Sequence, residues 1–195
     1  MKTAVALVGL ETIQDKNGNP IFSVTFLNNM ETWKKEHKNY NLKILDARTY
    51  KEAENPMEAI WGDLKAVEKI DLLIYSGHSD NEILYLVSRY RKELDYDQRF
   101  INYNTNWEGV NFSEKAEIYL LGCQTAGVGG VKLEWCIAQD IANKTSKTVF
   151  AYVSKSYQKE KPKGVYHQVS DDKIGFVKVE KSVKPTESFV GGNMS

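Results

Sequence analysis

Two stretches hold side chains that can do nucleophilic chemistry together: "IYSGHSD" at 74–80 and "LLGCQTAG" at 120–127. The first presents His78, one of three histidines, and the second presents Cys123, one of two cysteines. A thiol is only slightly ionised at neutral pH, and the thiolate is the nucleophile. An imidazole close by can take the thiol proton and later hand it to a leaving amine. The glycines at 122, 127, 129 and 130 allow sharp turns and leave backbone N–H groups that can hold an oxyanion.

The pair works only if the fold delivers both groups to one crevice. Each closes an apolar run: "DLLIY" before Ser76-Gly77-His78, and "AEIYLL" before Gly122-Cys123. The two lie 45 residues apart. Neighbouring strands would bring their ends to within about 5 Å laterally, or about twice that with one strand between them. A helix starting near Val131 would add a partial positive charge favouring the thiolate if it pointed there.

Other apolar runs of strand length are "TAVALVG" (3–9), "LKILDA" (42–47) and "TVFAYV" (148–153), with "KIGFVKVE" (173–180) as a sixth, antiparallel candidate. Residues 30–40 read as a polar helix. Residues 49–69 read as an amphipathic helix that Pro56 either kinks or begins. A further helix is expected over 131–144, with Leu133, Ile137 and Ile141 on one stripe. "DKNGNP" (15–20) is a turn, 101–112 an Asn-rich loop, 155–163 a charged loop, and 81–100 fits strand or helix equally. Short apolar strands alternating with helices predict an α/β three-layer sandwich around a mainly parallel sheet of about six strands. Both faces of such a sheet are covered, so its strands read as continuous apolar runs. The expected organisation is one domain over 1–185 with a frayed tail at 186–195.

Composition narrows the function. Lys plus Arg and Asp plus Glu each number 26, so the formal net charge is zero. No basic excess exists to neutralise nucleic-acid phosphates or meet an anionic membrane. No apolar run has bilayer-spanning length. "MKTAVALVGLETIQD" meets Glu11 without a long apolar region, so it reads as a first strand and not a signal peptide. Two cysteines suit a reducing compartment better than a disulfide scaffold. The expected location is therefore the cytoplasm, with a domain excised from a larger protein as the alternative. Nothing in the sequence specifies an oligomeric state.

In this order and spacing, the two blocks resemble the cysteine peptidases of the caspase-like fold: caspases, metacaspases, gingipains, CHAT domains and the self-processing protease domains of bacterial toxins. "DLLIYSGHS" is similar to the metacaspase and CHAT histidine block, and "EIYLLGCQTAG" to the CHAT and toxin-processing cysteine blocks. The likeness covers roughly 40–155. It implies a cysteine endopeptidase acting on a protein or peptide through a thioester acyl-enzyme. Cys123 would be the nucleophile and His78 the general base and acid. Backbone around Gly77, Ser79 and Gly122 would form the oxyanion site. Such chemistry needs no metal or organic cofactor. In these families the residue after the histidine is usually glycine; here it is Ser79, whose amide can donate only at backbone angles a Cβ permits. The resemblance also implies a pocket for the residue before the scissile bond, from Asp80, Gln124, Tyr152, Ser154 and Lys155. Lys155 there would favour an acidic side chain, and Asp80 a basic one.

The competing readings are a catalytically inactive binding module of the same fold and a flavodoxin-like nucleotide-binding or signalling domain. Cys136, inside an apolar stripe, reads as core. His37 reads as a solvated helix face, and His167 as a turn or sheet-edge residue. Two cysteines and one distant histidine do not make a metal site. "GVGG" lacks the Lys-Ser/Thr ending of a phosphate-binding loop.

Overall fold

In the computed structural model, the structure describes residues 1–10, 12–14, 16–17, 20–50, 52–87, 94–153, 156–159, 167–170 and 176–182. Six strands form the central sheet: β1 (Lys2–Val8), β2 (Tyr40–Asp46), β3 (Ile70–Ser76), β4 (Phe112–Leu120), β5 (Thr148–Tyr152) and β6 (Phe176–Val179). Their order is β6-β5-β4-β3-β1-β2, parallel throughout except for the antiparallel pairing of β6 with β5. The chain is an α/β protein with a mainly parallel six-stranded sheet, as the spacing of its apolar runs predicts.

Helices cover both faces. On one face Ala4, Ala6 and Val8 of β1 and Leu72 and Ile74 of β3 pack with Phe26 and Met30 of α1 (Thr25–Glu36). On the other, Val5, Leu7, Leu73 and Tyr75 join Ile60 and Leu64 of α2 (Pro56–Lys65) and Ile137 and Ile141 of α3 (Ile137–Thr145). Period-two alternation along each strand sends its side chains to both layers. Ile60 and Leu64 are wholly buried, each contributing about 1.5–3 kcal/mol of hydrophobic stabilisation.

Pro56 begins α2 and does not kink it. It occupies the first turn, where its missing N–H costs nothing, and the Asn55 side chain caps the Glu58 amide at 3.2 Å. The helix expected from Val131 instead starts at Ile137, because Gly127–Val128 and Val131–Lys132 pair as a hairpin that turns at Gly129 and Gly130 with φ of 59° and 83°. β4 also departs from the continuous-burial expectation. Ala116, Ile118 and Leu120 are buried while Glu117 and Tyr119 are only half-buried.

The segment 81–100 contains a short strand, Leu84–Tyr85, paired antiparallel with Phe100–Ile101, and a 3-10 turn over Tyr96–Gln98. Within the expected charged loop, Ser156–Lys159 pairs with His167–Ser170. Thr12–Gln14 and Pro20–Phe22 form a hairpin across the expected 15–20 turn. The tail at 186–195 lies outside the described residues. Among those described, no helix is long and apolar enough to cross a membrane.

Candidate active site at the ends of β3 and β4

β3 and β4 are direct neighbours, with Tyr75 opposite Leu120, and the Leu121 amide donates to the Tyr75 carbonyl at 2.9 Å. His78 and Cys123 each stand three residues beyond the Tyr75–Leu120 pair, at the carboxyl end of the sheet. Open parallel sheets bind their ligands beyond that end. His78 is exposed, and Cys123 is half-buried and not disulfide-bonded.

The histidine loop is held from below and from one side. The Tyr75 hydroxyl bonds the His78 carbonyl and lies 3.0 Å from the Tyr85 carbonyl. Tyr75 is buried, and burial pushes its phenol pKa up, so it stays a neutral donor. The Tyr85 amide donates to the same His78 carbonyl at 2.9 Å, and the Asp80 amide to the Ile83 carbonyl at 3.1 Å. These two bonds flank a bridge between Ser79 and Leu84, making that pair a non-hydrogen-bonded one. The Ser79 N–H therefore points out of the 78–85 turn. The Phe26 ring and the His78 imidazole meet in a T-shaped contact, centroids 5.1 Å apart.

The cysteine loop is tied to β5 and α3. The Ala126 amide donates to the Tyr152 carbonyl at 2.8 Å, and the Tyr152 amide to Thr125 Oγ1 at 3.2 Å. The Ala138 amide donates to the Thr125 carbonyl at 3.1 Å, and the Ile137 amide to the Asn81 carbonyl at 2.7 Å. Two first-turn amides of α3 are thus engaged by carbonyls, and the helix begins fourteen residues past Cys123 rather than near Val131, where the sequence placed it.

The two loops touch. Ser79 Oγ donates to the Cys123 carbonyl at 2.8 Å. A Cβ on Gly122 would lie 1.9 Å from Ser79 Oγ and 2.7 Å from Ser79 Cβ; one on Gly77 would lie 2.4 Å from Tyr75 Oη. Both glycines are required by close approach.

The structure thus gathers His78, Cys123, Gly77, Ser79 and Gly122 at one place. It commits Asp80 elsewhere: its carboxylate accepts from the Glu82 and Ile83 amides at 2.8 and 3.0 Å and from the Tyr85 hydroxyl at 3.2 Å, all within its own turn. Tyr152 is buried, its phenol pushed up to about 12 by that burial, and it borders the cysteine loop through main-chain bonds. Ser154 and Lys155 lie outside the described residues, as does the side chain of His167. Cys136 is 1% exposed and burial pushes its thiol up, as a core residue would be. Among the described residues no cluster of three or more His, Cys, Asp or Glu is placed to hold a metal. A groove of about 470 Å³ between α2 and the 97–106 segment, lined by Trp61, Asp97 and Asn104 among others, includes none of the strand-end residues.

Sequence reasoning missed Tyr75 and Phe26 as neighbours of the site. Tyr75 carried one signal: a phenol in an otherwise aliphatic buried strand must find a hydrogen-bond partner. Phe26 carried none, being 52 residues from His78.

Gln124, directly after the cysteine, has φ of 56°, in the left-handed region. A non-glycine residue there costs roughly 1–2 kcal/mol. Gln124→Gly should remove that cost but add about 0.5–1 kcal/mol of unfolded-state entropy, leaving stability nearly unchanged. Gln124→Val should destabilise by about 1–3 kcal/mol. Urea denaturation midpoints check both. Equal midpoints for the Gly and Val variants would show that the left-handed geometry is not maintained.

No protein-family model matches the chain, and no curated protein matches it.

Proposed function

We propose that the chain is a cysteine endopeptidase in which Cys123 and His78 form the catalytic pair. The observation that carries this is the shared overhang of β3 and β4: adjacent strands in register present an exposed imidazole and a half-buried thiol at equal distance past their last pair, on loops joined by a hydrogen bond. His78 accepts the Cys123 thiol proton, and the thiolate sulfur attacks the scissile carbonyl carbon. The new C–S bond leaves a tetrahedral oxyanion, towards which the outward Ser79 amide is a candidate donor. The imidazolium protonates the leaving nitrogen as the C–N bond breaks. Water, deprotonated by His78, then attacks the thioester and releases the acid and the thiol.

A nucleotide-binding reading is disfavoured by the crevice where such folds hold their ligand. Strand order reverses between β1 and β3. There the chain's own 85–86 segment fills the space: the Leu10 amide donates to the Leu86 carbonyl at 2.9 Å, and a Cβ on Gly9 would lie 2.5 Å from the Tyr85 carbonyl oxygen.

Labelling kinetics test the proposal. Burial alone favours Cys123 over Cys136, so preference between the thiols decides nothing. A peptidyl acyloxymethyl ketone should modify Cys123 at a rate that saturates with reagent and falls when peptide is added, whereas iodoacetamide labelling should rise linearly with reagent. Linear, uncompeted labelling by the ketone would sink the peptidase and favour the binding module.

A further inference from the structure

We propose that the Ser79 hydroxyl is a positioning residue that clamps the nucleophile loop to the histidine loop; this rests on the Cys123–His78 pair proposed above. Its Oγ–H donates to the Cys123 carbonyl at 2.8 Å. In a trans peptide the C=O and the next N–H point in opposite directions. Holding the Cys123 carbonyl therefore also sets the direction of the Gln124 N–H and the entry into the left-handed turn at Gln124.

The contact is built from both sides. Position 122 has no Cβ, and a Cβ there would fall 1.9 Å from Ser79 Oγ, so the serine side chain occupies the space the glycine leaves. Ser79 is itself fixed by the 78–85 turn, through the bonds to His78, Asp80, Ile83 and Tyr85 main chain on either side of its bridge to Leu84. The hydroxyl thus joins the strand-end loop of β3, which is braced by the Tyr75 phenol, to that of β4, which is braced by Thr125 and Tyr152. Cys123 Cα, and with it the direction of the sulfur, is referenced to the loop that carries the imidazole. A 1 Å misplacement of a reacting group lowers rates by about 10²-fold, so even a small loosening is readable.

The test compares wild type with Ser79→Ala in the full chain. Four readouts are taken: thermal midpoint, iodoacetamide alkylation of Cys123, and kcat and KM separately on a fluorogenic peptide drawn from a cleavage library. Ser79→Ala should lower the midpoint by only about 2–4 °C, the loss of one hydrogen bond, and leave the alkylation rate nearly unchanged. It should lower kcat by about ten-fold with KM unmoved, the loss expected from a small loosening of the sulfur's position. Ser79→Thr, which keeps the hydroxyl, should restore most of kcat. A fall in midpoint and alkylation matching the fall in kcat would make the role merely structural and overturn the proposal; so would a kcat equal to wild type. If Ser79→Thr fails to fold, the kcat-against-KM split of Ser79→Ala decides alone. A wild-type chain that cleaves no peptide and shows no saturable ketone labelling would instead sink the Cys123–His78 reading itself, a separate result.

Discussion

Replacing His78 with alanine should lower kcat/KM for peptide cleavage by about 10²–10⁴-fold, the range a positioned general base contributes. The expectation follows from the proposed pair: without the imidazole, Cys123 has no assigned acceptor for its proton and the leaving amine no assigned donor. Cys123→Ala should abolish cleavage and acyl-enzyme formation together, because the attacking atom is gone. The double variant should be no worse than Cys123→Ala, since residues acting as one unit are not additive. The imidazole is exposed, so its removal should cost little stability, with about 1 kcal/mol coming from the ring contact with Phe26. A thermal midpoint close to wild type therefore separates lost chemistry from lost fold. If His78→Ala retains cleavage within about ten-fold of wild type, below the range for a general base, another group holds the proton and the pair is wrong.

The sheet and the strand-end position of His78 were legible because β1 and β3 each bury residues on both faces, which leaves unbroken apolar runs that stop abruptly. Adjacency of β3 and β4 was left open by the sequence, which allowed one strand between them; successive strands usually pair, and these two do. The start of α3 was not legible. Leu133, Ile137 and Ile141 share a helical spacing, but the left-handed turn at Gly129 and Gly130 holds 127–132 as a hairpin, and Val131 is 64% exposed. Tertiary pairing there overrode a local period. The segment after His78 was ambiguous because its strand, Leu84–Tyr85, is two residues long, too short for a period to register.

The contact between Ser79 and Gly122 was invisible for a different reason. The two positions are 43 residues apart, and only the β3–β4 register places a side chain at one against its absence at the other. No pattern within either stretch carries that information. Asp80 shows the reverse case. As a carboxylate beside the histidine it read as a specificity group, yet a short acceptor next to exposed backbone N–H groups closes its own turn first, and Asp80 does so with the Glu82 and Ile83 amides.

Gly122→Ala should destabilise the chain by about 3 kcal/mol, the upper part of the usual range for overpacking. The new Cβ would meet Ser79 Oγ at 1.9 Å and Ser79 Cβ at 2.7 Å. Rotating the serine relieves the first contact at the loss of its bond to the Cys123 carbonyl, but not the second. Backbone must then shift between two loops that are braced on their far sides. At this chain length the loss corresponds to a fall in thermal midpoint of roughly 6–12 °C. The discriminating result is the double variant. Ser79→Gly removes both clashing atoms, leaving the Gly77 carbonyl oxygen at 3.1 Å as the nearest remaining neighbour. Adding it to Gly122→Ala should recover about 2 kcal/mol, although Ser79→Gly alone should be destabilising through unfolded-state entropy and the lost bond to the Cys123 carbonyl. A coupling of that sign and size, read from a double-mutant cycle in urea, requires the two side-chain positions to be in contact. Additive effects within about 0.5 kcal/mol would mean that the loops do not meet there, and the proposed pairing of thiol and imidazole would lose its physical basis.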